Sequence, residues 1–140
     1  MTKKISSSNI SDLDVLKQPW AIRPEMMDVL LNLAHKQVSG EHVTREEVAA
    51  RMGVSQSPDG YYVRDGVAIV PINGVIGKGR SWAVDAPVEQ IQHDFLTAMD
   101  DTAVKKIVLL IDSPGGSVMG TPELADLIHS QRGHKPIVSY

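Results

Sequence analysis

The chain has 140 residues, 42% of them hydrophobic, a size that suits one domain with a modest core. Fourteen basic and seventeen acidic residues give a formal charge of −3, and aromatic residues make up only 4% of the chain. Such a composition lacks both the basic surface that attracts polyanions and the aromatic platforms on which bases stack. Without cysteine there are no disulfide bonds and no thiolate ligands. We therefore expect no nucleic-acid partner and no cysteine-based metal site.

The first part of the chain divides into a lead-in and a helical segment. Residues 1–18 are polar and rich in serine, which predicts a flexible lead-in. Residues 19–60 are predicted to hold helices and a linker, and Pro24 begins the first helix, which ends at Ser39-Gly40. The predicted apolar face of this helix consists of Met27, Leu30, Leu31, Ala34 and Val38.

The N-terminus is not typical of a targeting segment. Lys3 and Lys4 are followed by a polar run, residues 6–9, where a signal peptide needs an apolar stretch. No part of the sequence approaches the roughly 18 apolar residues of a membrane span. We therefore expect a cytoplasmic protein with no membrane partner.

Residues 44–57 suggest a second short helix and a turn. Thr44–Glu47 form a capping box, and Gly53 is predicted to end the helix. This pattern resembles the start of a helix-turn-helix, which would next need a recognition helix. The turn 58–60 interrupts the chain at that place. We therefore favour a helical hairpin that packs on the core or on a neighbouring subunit over a DNA-binding unit.

In the remaining part of the chain, strands alternate with helices. Val67–Ile72 is a predicted strand, and Asn73-Gly74 then turns the chain into a short returning strand. Asp85 is predicted to cap a helix, and Ile107–Ile111 is predicted to be a strand that is buried on both faces. The inward residues of the two predicted helices are Val88, Ile91, Phe95 and Met99 in the first and Leu124, Leu127 and Ile128 in the second. With another strand beginning at Ile137, the pattern predicts an α/β fold with parallel βαβ units.

The strand that begins at Ile107 leads into Ser-Pro-Gly-Gly, and a helical pattern follows at once. Proline fixes one φ angle in this turn, and Gly115 and Gly116 leave the next two unrestricted. The order strand, glycine turn, helix is typical of a backbone that aims free N–H groups at an anion or a developing oxyanion. A side chain at either glycine would block the close approach of a peptide carbonyl. Gly115 and Gly116 are therefore the candidate site residues, and a turn with a purely structural purpose is the alternative.

Several segments of the chain resemble a known family of peptidases. Val67–Gly74, Val104–Val118 and Lys135–Ser139 are similar to the first half of the signal peptide peptidase A family of Ser–Lys serine peptidases. Trp20–Glu25 resembles the preamble of the branch that contains phage and prophage head-maturation proteases, also called capsid protein C. The resemblance implies the crotonase/Clp-protease fold, with residues 61–140 as the incomplete, N-terminal part of the peptidase domain. It also implies peptide substrates from capsid assembly in a procapsid, a ring-shaped homo-oligomer and no cofactor.

The same resemblance implies roles for the two glycines. The Gly115 N–H would form part of an oxyanion hole, and Gly116 would shape the turn and assist. The family's nucleophilic serine and base lysine fall beyond Tyr140, so we expect neither of them in this chain and no hydrolysis by these residues alone. Many members of the family have asparagine where this chain has Asp112, which we interpret as a structural residue.

The serines and lysines near the motif are explained by local structure. Ser113 lies in the turn, Ser117 is predicted to cap the next helix, and Ser139 lies within a strand. Lys105 and Lys106 are predicted to be solvated, whereas a lysine needs burial to act as a base near neutral pH. None of these residues is a candidate nucleophile or base.

The histidines give no catalytic or metal-binding pattern. His93 and Asp94 are predicted to lie on the polar side of a helix and not in a triad. The five histidines, at positions 35, 42, 93, 129 and 134, contain no His-x-x-x-His pair, so no metal site is expected.

Two other classes of protein remain open. One is a truncated, non-catalytic remnant or assembly module that keeps only the subunit-contact surfaces. The other is a crotonase-like acyl-CoA enzyme, whose oxyanion hole is built in a similar way. Ser-Pro-Gly-Gly favours the peptidase over the acyl-CoA enzyme.

Overall fold

The computed structural model describes residues 13–41, 44, 47, 50–51 and 60–140, which form a mixed α/β structure with two four-stranded sheets. In chain order, the elements are a 3₁₀ turn (Asp14–Lys17), β1 (Trp20–Ile22), α1 (Pro24–Val38), β2 (Tyr62–Arg64), β3 (Val67–Asn73), β4 (Ile76–Gly77), β5 (Ala86–Pro87), α2 (Val88–Asp100), β6 (Lys106–Asp112), β7 (Gly115–Ser117), α3 (Thr121–Ser130) and β8 (Ile137–Ser139). The predicted α/β class is confirmed. Within the described ranges, no helix combines the length and the apolar character needed to cross a membrane.

The first sheet, called here the large sheet, has the strand order β2-β3-β6-β8. β3 and β6 run parallel along their whole lengths, from Val67 opposite Lys106 to Asn73 opposite Asp112. β8 pairs parallel with β6, which confirms the predicted parallel arrangement. β2 pairs antiparallel with β3 through a tight turn, in which Asp65 has a φ of 52°. This hairpin was not predicted from the sequence.

Helices α2 and α3 pack against one face of the large sheet and form the main core. The sheet contributes Ala68, Val70, Ile107 and Leu109 to this core, and Phe95 of α2 has no exposed surface. Burying a side chain such as Phe95 contributes about 1.5–3 kcal/mol to the free energy of unfolding. The main core is therefore the principal hydrophobic contribution to the stability of the large sheet.

β6 is not buried on both faces, as had been predicted from its run of apolar residues. Ile107 and Leu109 on one face are buried, but Val108 and Leu110 on the other face are only half-buried. Side chains alternate between the two faces of a strand, and α2 and α3 cover the face that contains Ile107 and Leu109. The prediction was wrong because an unbroken apolar run does not reveal how many faces a neighbouring layer covers.

The second sheet, called here the small sheet, has the order β1-β7-β4-β5 and consists of strands of two or three residues. Its strand β7 is formed by the glycines of the predicted turn. The prediction that a helix follows the glycines at once was wrong, because the helix begins at Thr121. β4 pairs parallel with β5 and β7 and does not return along β3, so the predicted returning strand was also wrong. Gly74, with a φ of 86°, redirects the chain from the large sheet to the small one.

Helix α1 forms a second, smaller core with the chain that precedes β5. Its members are Leu30, Leu33 and Ala34 of α1 together with Val75, Trp82 and Ala83. The bounds of α1 agree with the predicted start at Pro24 and end at Ser39. Its predicted apolar face was partly wrong, because Leu31 is 53% exposed and Leu33 is buried instead. Apolar residues from the end of the predicted lead-in also pack on this core, namely Leu13, Val15 and Leu16.

The predicted hairpin at residues 44–57 lies mostly outside the described residues. Its beginning agrees with the prediction, because the Thr44 hydroxyl accepts a hydrogen bond from the Glu47 backbone N–H at 3.2 Å. Glu47, Ala50 and Arg51 are helical. The described part thus contains the capped start of a second helix.

Candidate active site

The glycine strand β7 begins immediately after the carboxyl end of β6. Ser113 fixes this junction, since its hydroxyl accepts the Gly115 N–H and donates to the Gly115 carbonyl, each at 3.1 Å. Gly115 has a φ of 111°, which a residue with a side chain rarely adopts. Ligands of open α/β sheets bind beyond the carboxyl ends of the parallel strands. The position of Gly115 is therefore suited to binding.

Strand β1 lies antiparallel along β7. At one end of this ladder, the Val118 N–H donates to the Pro19 carbonyl at 2.8 Å. At the other end, the Arg23 N–H donates to the Pro114 carbonyl at 3.0 Å. Each end is a single hydrogen bond, because a proline has a carbonyl but no N–H to return.

The alternation of the ladder determines which glycine N–H faces β1. Hydrogen-bonded and non-hydrogen-bonded pairs alternate in antiparallel strands, and both ends of this ladder are hydrogen-bonded. Between them, Ala21 opposite Gly116 is therefore a hydrogen-bonded pair, whereas Ile22 opposite Gly115 is not. The Gly116 N–H consequently points at the Ala21 carbonyl, and the Gly115 N–H points away from β1.

Backbone atoms of β1 and β4 approach the two glycines closely. A Cβ atom on Gly115 would lie 2.2 Å from the Ala21 carbonyl oxygen, and one on Gly116 would lie 1.8 Å from the Ile76 carbonyl oxygen. Neither gap can hold a carbon atom, so the small sheet itself requires glycine at both positions. From the sequence, we expected this requirement to come from an approaching peptide carbonyl. In the structure, the carbonyl beside Gly115 belongs to Ala21 of the same chain.

A small cavity of about 180 Å³ opens beside the glycine strand. It is lined by Ala21, Ile76, residues 115–117, Val118 and Pro122 among others, so most of its surface is apolar. A cavity of this size and character is suited to a small apolar side chain. Because Ala21 is part of its wall, the cavity lies next to the pairing of β1 with β7.

Neither Ser117 nor Ser139 is placed as a nucleophile beside the glycines. Ser117 is buried, and its hydroxyl donates to Gln18 Oε1 at 2.8 Å and accepts the Met119 N–H at 3.1 Å. Ser117 was predicted to cap the next helix, which was wrong because α3 begins at Thr121 without a side-chain cap. Ser139 lies in β8, as predicted, and is exposed.

Asp85 and Asp112 flank the path between the two sheets. Asp85 was predicted to cap α2, but the helix begins after Pro87 without a side-chain cap. The buried Asp85 carboxylate instead accepts the Val75 N–H at 3.2 Å, which stabilises the chain entering β4. The Asp112 side chain is exposed at the end of β6.

Asp94 was predicted to lie on the polar side of α2, and this prediction was wrong because Asp94 lies beside the main core. Only 7% of it is exposed, and it accepts a hydrogen bond from Gln90 Nε2 at 2.9 Å. His93 is exposed, as are Lys105 and Lys106, whose predicted solvation is confirmed. In the part of the chain that the structure describes, no three side chains of the metal-ligating types are grouped together.

Tyr61, Asp101 and Lys135 meet at the C-terminal end of α2. The Tyr61 hydroxyl donates to Asp101 Oδ2 at 3.3 Å. The Lys135 ammonium donates to the carbonyls of Ala98 and Asp101, at 3.2 and 2.7 Å, where the helix dipole is negative. Burial raises the pKa of the Tyr61 phenol above its usual 10.0, and the charge of Asp101 and the hydrogen bond to it raise the pKa further. These contacts stabilise the end of the helix.

β1 is the part of the site that the sequence analysis missed. In the sequence, Trp20–Glu25 is notable only for its resemblance to the family's preamble. Pro19 and Pro24 give a local signal, because a residue before proline is biased towards an extended backbone and two closely spaced prolines bound a short strand. No local signal identifies the partner strand, since Gln18 and Ser117 are 99 positions apart in sequence.

The fold and the site together define a mixed α/β protein in which a glycine strand follows the carboxyl end of the parallel strand β6. No protein-family model matches the chain. The chain is 31% identical over 111 residues to the capsid assembly protease C of Escherichia phage lambda, a match that covers 71% of this chain and 25% of the lambda protein. It is 33% identical over 81 residues to the head-tail preconnector protein GP5 of Enterobacteria phage P21, a match that covers 55% of this chain and 16% of the P21 protein. These distant homologies support a phage head-maturation protease-like family, although the chain spans only about a quarter or less of either relative.

Proposed function

We propose that this chain supplies the oxyanion-stabilising part of a serine endopeptidase of the signal peptide peptidase A type, with a crotonase/Clp-protease-like fold. The observation that carries the proposal is that the Gly115 N–H lies outside the ladder between β1 and β7, points away from β1 and bonds to the Ser113 hydroxyl at 3.1 Å. The neighbouring Gly116 N–H faces the Ala21 carbonyl, so a peptide carbonyl can approach the glycine strand. The similarity to a capsid assembly protease agrees with this chemistry.

The Gly115 N–H is the principal donor in this proposal, and Gly116 assists. The Gly115 N–H bonds to the Ser113 hydroxyl at 3.1 Å. A developing oxyanion is a stronger acceptor than a neutral hydroxyl, so it would replace Ser113 as the reaction proceeds. One such fixed donor stabilises a tetrahedral intermediate by about 3–4 kcal/mol. Gly115 and Gly116 are the residues to which this proposal gives a role, and it assigns no attacking serine and no lysine base within the chain.

The wider role follows from the phage relatives. We propose that the whole protein is a ring-shaped homo-oligomer that cleaves capsid or scaffold proteins within a procapsid in the host cytoplasm. One relative is a capsid assembly protease and the other a head-tail preconnector protein, so capsid proteins are the proposed partners. No cofactor or metal is part of this reaction.

A chimera tests the peptidase proposal. Residues 19–140 would replace the matching segment of the phage lambda protein, and cleavage of a capsid-assembly substrate would be measured. We expect the chimera to cleave and to react with a fluorophosphonate probe. The 140-residue chain alone is expected to remain unlabelled, and stoichiometric labelling of it would show that a nucleophile is present in these residues.

Two glycine variants of the chimera test whether cleavage depends on Gly115. Gly115→Ala displaces the proposed donor and is expected to reduce cleavage by about 100-fold or more. Gly133→Ala is the matched control, because Gly133 also has a positive φ, of 97°, but nothing lies within 4 Å of an added Cβ. Unreduced cleavage by a folded Gly115→Ala chimera would contradict the assignment, as would a folded parent chimera that does not cleave.

A non-catalytic assembly module is the second candidate function. It is favoured by apolar residues on the face of the large sheet that α2 and α3 leave uncovered, where Val108 and Leu110 are only half-buried and Val138, opposite Val108, is 43% exposed. In this case the folded chimera would neither cleave nor be labelled, and the 140-residue chain would still bind capsid proteins. Replacing Val138 and Tyr140 by serine would then abolish that binding.

A further inference from the structure

We propose that β1 is an internal occupant of a peptide-binding edge on β7, and that an extended peptide segment binds there by exchanging with it. The inference does not depend on the proposed function, because strand exchange requires no catalysis and a peptide in place of β1 would face the Gly116 N–H and not the proposed donor at Gly115. It concerns residues 19–23 and 114–118, which lie along one another as an antiparallel pair.

The contacts between β1 and β7 are of a kind that any extended peptide can make. The ladder from Pro19 opposite Val118 to Arg23 opposite Pro114 consists of backbone hydrogen bonds. Gly115 and Gly116 present no side chains to the incoming strand. Addition of a strand to a sheet edge is a general mode of peptide recognition, in which the backbone provides affinity and pockets for alternate side chains provide specificity.

The side chains of β1 fill this edge incompletely. The indole Nε1 of Trp20 is buried and has no hydrogen-bond partner among the described residues, which is unfavourable for a buried donor. Ala21 is a small residue beside the apolar cavity of about 180 Å³ and leaves that space empty. A competing peptide with a larger apolar residue at the Ala21 position can therefore bind better than β1 does.

β1 also has a covalent advantage over any competitor. It continues directly into α1 at Pro24, and Ile22 and Trp20 pack against the second core. The hydrogen bond from Ser117 to Gln18 adds a further connection. A tethered strand competes at a high effective concentration, in the millimolar range for a short connection. Binding of a free peptide to the unaltered chain is therefore expected to be weak.

Local opening of β1 in the unaltered chain is the first test. Native-state hydrogen exchange would be followed by NMR at the amides of Ala21, Arg23, Gly116 and Val118. We expect their protection factors to be at least about 100-fold smaller than those of β3 and β6, because β1 opens without global unfolding. Equal protection in both sheets would show that β1 is a permanent part of the fold and would overturn the proposal.

Peptide binding to a variant with weakened β1 is the second test. Ala21→Pro removes one hydrogen bond of the ladder, whereas Ala21→Ser keeps the backbone N–H and is the matched control. The probe is a synthetic peptide with the sequence of residues 18–26. We expect it to bind the Ala21→Pro chain at least about tenfold more tightly than the Ala21→Ser chain, and to restore the protection of Gly116. A peptide with leucine at the Ala21 position is expected to bind several-fold more tightly still, because it fills the cavity.

The outcomes of this test are separable from those of the chimera. A folded Ala21→Pro chain that binds no peptide contradicts strand exchange, and so does an Ala21→Pro chain that fails to fold. Protection that rises with protein concentration and not with peptide would assign the edge to a second copy of the chain and would also overturn the proposal. Peptide binding combined with an inactive chimera would retain the strand exchange and refute only the peptidase.

Discussion

The large sheet and the small sheet are stabilised in different ways. β3 and β6 of the large sheet pair along seven residues each and bury branched side chains under α2 and α3. The strands of the small sheet have only two or three residues, and their closest contacts are between backbones at Gly115 and Gly116. The stability of the fold therefore depends on side-chain burial, whereas the shape of the candidate site depends on backbone proximity.

This difference bears on function. A sheet whose strands are joined mainly by backbone hydrogen bonds can accept another strand in place of one of its own, because those bonds do not depend on sequence. A core of interlocked side chains such as that around Phe95 cannot exchange its parts in this way. The proposed peptide site thus lies in the sheet whose interactions permit exchange.

The largest expected effect is in the main core. Phe95→Ala removes a fully buried ring and is expected to lower the free energy of unfolding by about 3–5 kcal/mol, measured by urea denaturation. Leu96→Ala is the matched control, because Leu96 is 38% exposed and its loss is expected to cost less than about 1 kcal/mol. Similar losses for the two variants would contradict the assignment of Phe95 to the main core.

A smaller and more local effect is expected in the small sheet. Gly116→Ala places a Cβ atom 1.8 Å from the Ile76 carbonyl oxygen, so β4 and β7 must separate. We expect a loss of about 2–3 kcal/mol, with hydrogen exchange accelerating in the small sheet and protection retained in β3 and β6. Gly133→Ala, whose added Cβ meets nothing within 4 Å, is expected to cost about 1–2 kcal/mol for its positive φ alone. Equal loss of protection in both sheets would show that the two are one cooperative unit.

The smallest expected effect is a pH dependence at Tyr61, beside the main core. Its pKa is raised above 10.0 in the folded chain, so folded Tyr61 keeps its proton to higher pH than unfolded Tyr61 does. The resulting contribution to stability is complete below pH 10.0 and is lost as the pH rises through the folded pKa. The stability of the unaltered chain relative to Tyr61→Phe is therefore expected to be constant below pH 10.0 and to fall as the pH rises above it, measured by urea denaturation. A constant difference would show that Tyr61 does not titrate differently in the folded state.

The sequence predicted the large sheet better than the small one. The parallel strands at Val67 and Ile107 were found from unbroken apolar runs, and the helix beginning at Pro24 was found from that proline and the helical spacing of apolar residues. The hairpin of β2 and β3 was missed although Asp65-Gly66 between apolar residues is a typical hairpin turn. That signal was present in the sequence and was not used.

Other errors had no local remedy. The burial of Leu33 in place of Leu31 depends on which side of α1 the second core occupies. The burial of Asp85 depends on its contact with Val75 across the turn between the sheets. Short strands such as β4 and β5 contain too few residues for a periodic pattern to identify them.

The sequence by itself determined the parallel βαβ arrangement and the position of the glycine motif, because both follow from the order of residues along one stretch of chain. Only the tertiary structure decided that Gly115 and Gly116 form a strand and that β1 lies along it. That pairing joins backbone groups nearly a hundred residues apart, as the hydrogen bond from the Val118 N–H to the Pro19 carbonyl illustrates. Backbone N–H and carbonyl groups are the same in every residue except proline, so the sequence carries little record of which of them will meet.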